Sequence, residues 1–359
     1  MKIKNLQLRN VKCFSNKDIS FLNHENNENN EPLSTCVLVG VNGAGKSTIL
    51  KSIVNVLTSL NPIYGGELFD INSINLNGDF MQISLEIAFN EQESYDLIGK
   101  KEIINEEFIV LYAKQDLSIQ SALIYPNKYD DDKKREYYVQ FIKQFISNNF
   151  KGGRIIYFDT FRFLPQIKIE GPSLETNNSN IKANTLSNSI LNNNILNNKF
   201  QYVKQWLVNL DYKRLKDSSG KYDQILNQVI NALNVLYNPY GFKKITENGD
   251  VIFDIKGEDI SIDKLSDGFK SLFIILGEIL YRFSSEDGSS ENFLKMEAVI
   301  LIDEIDCHLH PKWQLNILPS LKKLLPNCQF IVTTHSPFII QSVQPYEIIK
   351  IGDEEVWEE

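Results

Sequence analysis

Between Gly40 and Ser47 the chain reads Gly-Val-Asn-Gly-Ala-Gly-Lys-Ser, the spacing GxxxxGK[ST]. Glycines at 40, 43 and 45 let a short loop turn its backbone N–H groups inward, and a helix opening at its end adds a positive pole. Such a loop cradles the phosphates of a nucleotide, with Asn42 and Thr48 completing it. Lys46 reaches the outer phosphates, and the Ser47 hydroxyl is a ligand for Mg²⁺. Far downstream, Met296 to Asp306 is an aliphatic run ending in acids, Asp303-Glu304-Ile305-Asp306. A buried strand with that ending is a Walker B arrangement: it sets Asp303 beside the metal and leaves Glu304 to polarise an attacking water. A third apolar run, 328–337, delivers His335 to the same sheet edge, where parallel sheets place their ligands. There it can hold or sense the γ-phosphate. Alone, each block has a plainer reading: a glycine-rich turn, a strand with a polar end, a structural histidine. Together they imply ATP with Mg²⁺, and hydrolysis.

Those side chains need elements to hold them. Cys36 to Val39 is an apolar strand, and Ile49, Leu50, Ile53 and Leu57 recur at helical spacing after the loop, closing near Asn61-Pro62. Strand, loop and helix is the context a P-loop requires. Alternation over 2–11 predicts an edge-type strand, with Phe14 and 19–22 as its hairpin partner, and 81–89 and 107–113 predict antiparallel strands. Helical spacing returns over 130–150, where Tyr138, Phe141, Ile142 and Phe145 share a face, and over 202–210 and 222–237. A buried strand over 154–159 and a hairpin of 242–245 with 251–255 lie between and after. Leu265-Ser266-Asp267-Gly268 then opens a helix with one apolar stripe, Phe269, Leu272, Phe273, Leu276, Leu280 and Phe283. Pro311 suits the first position of a helix carrying Trp313, Leu315, Leu318 and Leu321, which Pro319 is expected to bend. Segments 24–32 and 171–199, rich in asparagine, predict no compact structure.

Composition excludes several classes. The 359 residues suffice for one large or two modest domains, and 42% hydrophobic with 23% charged residues is ordinary for a globular protein. No apolar run approaches the roughly 18 residues of a membrane span, and Met1-Lys2-Ile3-Lys4 starts no signal core, so no membrane partner and a cytoplasmic location are expected. Four scattered cysteines (13, 36, 307, 328) argue against a zinc ribbon or a disulfide framework. A net charge of −9 exerts no global pull on nucleic acid, and the clusters Lys133-Lys134-Arg135 and Lys213-Arg214-Lys216 read first as solvated helix faces. His308-Leu309-His310 stands beside acids already engaged with Mg²⁺, which disfavours a dedicated zinc or iron site there.

In their order, the P-loop, the Leu-Ser-Asp-Gly block, the Walker B run continuing Asp306-Cys307-His308-Leu309-His310-Pro311-Lys312-Trp313-Gln314, and His335 resemble the ABC-type ATPases of the RecF/SMC class. Within that class they are most similar to small bacterial ATPases, Septu ATPases among them, many of which belong to phage-defence or repair operons. The resemblance covers about residues 1–60 and 260–359 and leaves the middle uncovered. It implies an α/β P-loop NTPase of the ABC ATPase head type, with a mixed central sheet, an antiparallel β subdomain and a mostly helical insertion. One head over 1–359 is expected, with core lobes about 1–115, 152–170 and 240–359 and an inserted region about 116–151 and 171–239.

Carried residue by residue, the resemblance implies Lys46 and Ser47 for phosphate and Mg²⁺, Asp303 for Mg²⁺, Glu304 as catalytic base and His335 as switch. Ser266 and Gly268 match the signature that meets the γ-phosphate bound by a partner subunit. Asp267 replaces the first glycine of LSGGQ, and Lys270 follows Phe269 where glutamine is expected. His308 and His310 occupy the segment that touches the opposite subunit, and the Q-loop residue is Gln166 or, equally, Arg162. Implied partners are a second copy, in an ATP-dependent dimer or higher even oligomer, and a separately encoded nuclease or toxin effector of a defence complex. A RecF-like repair clamp that binds DNA directly is the alternative. The acidic charge and modest insertion lean toward a protein partner. The two dozen or so residues after His335 are too few for a nuclease domain, and no heptad arm interrupts the head.

Overall fold

Four short aliphatic runs have every residue buried: Thr35–Val39, Ile155–Phe158, Val299–Ile302 and Gln329–Thr334. Strands covered on both faces belong to a parallel sheet packed on both sides; three of these lie at its centre, and Ile155–Phe158 closes one edge. The computed structural model describes residues 1–23, 31–60, 69, 71–75, 78–91, 93–94, 104–115, 118–124, 136, 138–140, 142–145, 154–162, 164, 201–246, 249–284 and 292–352. Its strands are β1 (Lys2–Val11), β2 (Phe14–Ser20), β3 (Thr35–Val39), β4 (Phe80–Phe89), β5 (Ile104–Gln115), β6 (Ser118–Ile124), β7 (Ile155–Phe158), β8 (Gly241–Ile245), β9 (Val251–Ile255), β10 (Glu258–Ser261), β11 (Val299–Ile302), β12 (Gln329–Thr334) and β13 (Ile348–Lys350). The helices discussed are α1 (Lys46–Ser59), α2 (Gln201–Lys216), α3 (Lys221–Tyr237), α4 (Asp267–Phe283), α5 (Pro311–Leu324) and α6 (Pro337–Gln341).

The parallel sheet has the order β13-β3-β12-β11-β7. Because side chains alternate along a strand, its residues divide between two cores. Val37, Val39, Ile156, Ile300 and Val332 join one cluster with the helices α2 to α5. Cys36, Leu38, Ile155, Val299, Leu301 and Ile331 join the other, shared with α1 and an antiparallel sheet of order β2-β1-β4-β5-β6. A small antiparallel sheet, β10-β9-β8, completes the strands. Parallel and antiparallel pairing, expected of a mixed α/β head, is thus divided among three sheets. Among the described residues no helix is long and apolar enough to cross a membrane.

Two local expectations need correction. β1 is no edge strand: β2 pairs with one side of it and β4 with the other. Alternation reports one covered face and says nothing about the two hydrogen-bonding edges. Nor does α4 present a single stripe; Gly268 through Phe283 are all buried. Helices and the β8–β10 sheet enclose it, and its polar residues are tied down internally. Arg282 pairs with Glu278, both side chains 3% exposed, and the Tyr202 hydroxyl donates to the same carboxylate. Strand β10 was not expected, since Glu-Asp-Ile-Ser has no strand pattern of its own and is held by its pairing with β9. The hairpins β1–β2 and β8–β9 and the antiparallel pair β4–β5 form as predicted. Helix α5 runs through Pro319. Segments 24–30, 133–135 and 171–199 lie outside the described residues.

A buried charge that loses its partner is costly. Arg282→Met should lower stability by about 3–5 kcal/mol, because Glu278 stays buried without its counter-ion. Urea unfolding would measure it, and the double variant with Glu278→Gln should recover much of the loss.

Candidate functional site

The P-loop is shaped by contacts that exclude side chains. At the end of β3, a Cβ on Gly40 would stand 2.3 Å from the Ile351 carbonyl oxygen. Gly43 and Gly45 have φ of +81° and +94°, the left-handed region in which a side chain is strained. Gly45 is also the N-cap of α1 and offers no side-chain acceptor to the first-turn N–H groups. Those donors point out of the helix start, a seat for an anion. The β1–β2 turn closes over the loop so tightly that a Cβ on Gly45 would meet the Phe14 ring at 2.3 Å and Cys13 Sγ at 2.7 Å.

A cavity of about 370 Å³ opens here. Asn42, Gly43, Gly45, Lys46, Ser47 and Thr48 line one side of it, Asp303, Glu304, Thr333 and His335 another, with Lys12 and Cys13 from the β1–β2 turn. Three elements are joined through one atom: Asp303 Oδ1 accepts from Ser47 Oγ at 3.0 Å and from Thr333 Oγ1 at 2.6 Å. The strand order explains it, since β12 lies between β3 and β11 and carries Thr333 to the gap between their ends. Asp303 and Ser47 present oxygen donors, the chemistry a hard cation such as Mg²⁺ takes, and they would hold it against a bound polyphosphate. Lys46 Nζ meanwhile donates to the carbonyls of Gly40 (2.8 Å) and Val41 (3.1 Å). Burial lowers the pKa of its ammonium from the ordinary lysine value, opposed by Asp303, Glu304 and Asp306.

Glu304 follows Asp303 in a left-handed backbone conformation, φ +48°. Its N–H donates to Thr333 Oγ1 at 2.7 Å. His335 is exposed and lines the cavity, while the next hydroxyl, Ser336 Oγ, donates to Gln314 of α5 at 2.6 Å. The signature residues stand elsewhere. Ser266 is exposed and caps α4, accepting from the Phe269 N–H at 3.4 Å, and Gly268 is so close to the 304–308 turn that a Cβ would lie 2.2 Å from the His308 carbonyl oxygen. Neither lines the cavity. His308 and His310 are exposed, and His310 Nδ1 accepts from the Lys312 N–H at the start of α5.

The Q-loop alternatives part company. Gln166 lies outside the described residues. Arg162 is buried, lines no part of the cavity, and spends its guanidinium on the backbone behind Asp303 and Glu304. Burial pushes its pKa down, an effect opposed by Cys307, Asp159, Asp303 and Asp306. Sequence reasoning missed Thr333, Lys12 and Cys13. Thr333 was findable: it stands two residues before His335, near the end of β12, and extended backbone there turns both side chains to one face. Lys12 and Cys13 reach the loop only through the packing of a distant hairpin, which leaves no local signal.

A family model of the AAA ATPase domain matches residues 1–340. The chain belongs to this family. Among curated proteins, the retron Vc95 probable ATPase of Vibrio cholerae serotype O1 biovar El Tor is 28% identical, the match covering 97% of this chain and 74% of the relative. Septu protein PtuA of Bacillus thuringiensis is 26% identical over 89% of this chain and 70% of its own. Among solved structures, an SMC head bound to the C-winged helix domain of ScpA aligns with a TM-score of 0.56 at 16% identity, covering 98% and 94% of the two chains. That likeness establishes the SMC head fold, as the motif order implied, and the AAA ATPase family brings nucleotide binding with it.

Gly45→Ala tests the seat of the phosphates. It should destabilise the apo chain, through its left-handed φ and the contact with Phe14. It should also remove the rise in melting temperature that saturating Mg-ATP produces, a shift worth about 2.7 kcal/mol at a hundredfold excess over Kd. Differential scanning fluorimetry with and without nucleotide reads both effects.

Proposed function

We propose that the chain binds and hydrolyses ATP with Mg²⁺, dimerises on ATP, and acts as the sensor or regulatory ATPase of an anti-phage defence complex. In this reading it controls a separately encoded nuclease or toxin. One observation supports the dimer: Ser266 and Asp267, which open α4, are exposed and contribute nothing to the cavity lined by Lys46, Ser47, Asp303, Glu304 and His335. A triphosphate seated there would meet the P-loop, the two acids and His335, and lack only the signature. A second copy facing it would bring the N-terminal donors of its own α4 to the γ-phosphate. ATP then favours the paired state because only that state makes both sets of contacts, and hydrolysis withdraws the bridge.

The chemistry follows from the same geometry. Lys46 would exchange the carbonyls of Gly40 and Val41 for phosphate oxygens, and Ser47 and Asp303 would hold the metal. Glu304, with its backbone pinned, would accept a proton from the attacking water, and His335, on the wall of the same cavity, would read the γ-phosphate. The defence role draws its support from the relatives, which are named as a retron probable ATPase and a Septu protein.

Glu304→Gln separates binding from turnover. The variant should keep ATP affinity, lose hydrolysis by about 10²-fold or more, and elute as a dimer in gel filtration with Mg-ATP. If it elutes as a monomer under those conditions, ATP-driven pairing is wrong. Many-fold stimulation of wild-type turnover by short duplex DNA alone would favour a DNA clamp over a regulator that answers to a protein.

A further inference from the structure

Arg162 follows β7 and ends where a guanidinium is rarely put, in the interior, 7% exposed. Its donors serve three separate parts of the chain. Nη1 donates to the carbonyls of Asp159 and Asp303, both at 2.7 Å; Nη2 donates to the carbonyl of Glu304 at 2.7 Å; Nε donates to Ser271 Oγ at 3.1 Å. A buried cation is tolerated only when its donors are met, and here it is met mostly by backbone. The carbonyls of Asp303 and Glu304 lie just past the end of β11, beyond its ladder with β12.

Glu304 is thereby gripped from both sides. Its N–H goes to Thr333 and its carbonyl to Arg162, while its φ of +48° is one that a residue with a side chain disfavours. Strained conformations persist where the surroundings over-determine them. The fourth bond leads away from the cavity. Ser271 is buried one turn into α4, beyond the signature turn, and Gly268 of that turn is packed against the His308 carbonyl. The start of α4 therefore touches the 304–308 segment at two points, one of them through Arg162.

We propose that Arg162 is a positioning residue for hydrolysis: it sets the backbone of Glu304 so that the carboxylate faces the cavity, and it links that setting to the first turns of α4. A change at the exposed end of α4, such as the arrival of a second copy's nucleotide, is then felt at the base through Ser271 and Arg162. This role rests on the hydrolysis reading above and adds to it a route from the signature helix to the base within one chain.

The test uses the full chain with Mg-ATP, comparing wild type, Arg162→Lys, Ser271→Ala and the double variant. Steady-state kcat and KM, the Kd of a fluorescent ATP analogue, and melting temperature are measured for each. Arg162 does not itself line the cavity, so Arg162→Lys should leave Kd within about twofold and lower kcat on the order of 10²-fold, the split expected of a base misplaced rather than a site unmade. Ser271→Ala should lower kcat about fivefold with KM unchanged. The double variant should be no worse than Arg162→Lys alone, since both cut one path. If Arg162→Lys does not fold, Ser271→Ala decides: unchanged kcat overturns the proposal, as does a loss of affinity that accounts for the loss of rate. A wild-type chain that turns over no ATP sinks the hydrolysis reading and this role with it. Turnover in the wild type with unaltered kcat in the variants sinks the role alone.

Discussion

One carboxylate oxygen holds the site together. Asp303 Oδ1 takes a hydrogen bond from the helix that follows the P-loop and another from β12, so three segments distant in sequence must end at the same level. Parallel pairing provides this. Val332 stands opposite Ile302 and Thr333 opposite Leu38, which fixes the ends of β3, β11 and β12 relative to one another. The two cores above and below the sheet keep that register, because a slip of one residue would exchange the side chains of the two faces. The polar site is thus a consequence of where apolar side chains agree to meet.

Around that junction the backbone is held in conformations it would not choose alone. Gly43 and Gly45 answer the demand with glycine, whereas Glu304 and His308 carry side chains at positive φ. The difference is instructive. At Gly45 no Cβ fits, since Phe14 and Cys13 press on it, whereas at Gly43 the space is open and only the left-handed φ calls for glycine. Glu304 keeps a carboxylate on the cavity wall, and its strained backbone is held by Thr333 and Arg162. Gly268 is a third case, a glycine at which two segments are in close contact and not one chosen for its φ.

The helix α4 connects this chemistry to the rest of the molecule. Its burial on all sides makes it a rigid member, each large apolar side chain contributing about 1.5–3 kcal/mol. Tyr237 of α3 stacks on Phe269 and donates its hydroxyl to that residue's carbonyl, and Trp313 of α5 meets the same ring edge-on. A helix so enclosed moves as a unit or not at all, whereas its first residues, Ser266 and Asp267, stay open to solvent. Rigidity inside and exposure at one end suit a part that reports contact at its tip to the interior.

Much of this was legible in the residue order alone. The strand, loop and helix around Lys46, the acid-ended run at Asp303 and the strand leading to His335 are written locally, as periodicity and spacing, because each depends on neighbours within a few residues. Residue order therefore determined the fold class and most of the groups that line the cavity. What needed the tertiary structure was everything governed by a partner far along the chain: the flanked position of β1, the enclosure of α4, the hairpin that lays Lys12 and Cys13 beside the P-loop, and the inward turn of Arg162. A side chain's local pattern records which face is apolar. It holds no record of which distant carbonyls a guanidinium will reach, and only the packed chain decides that.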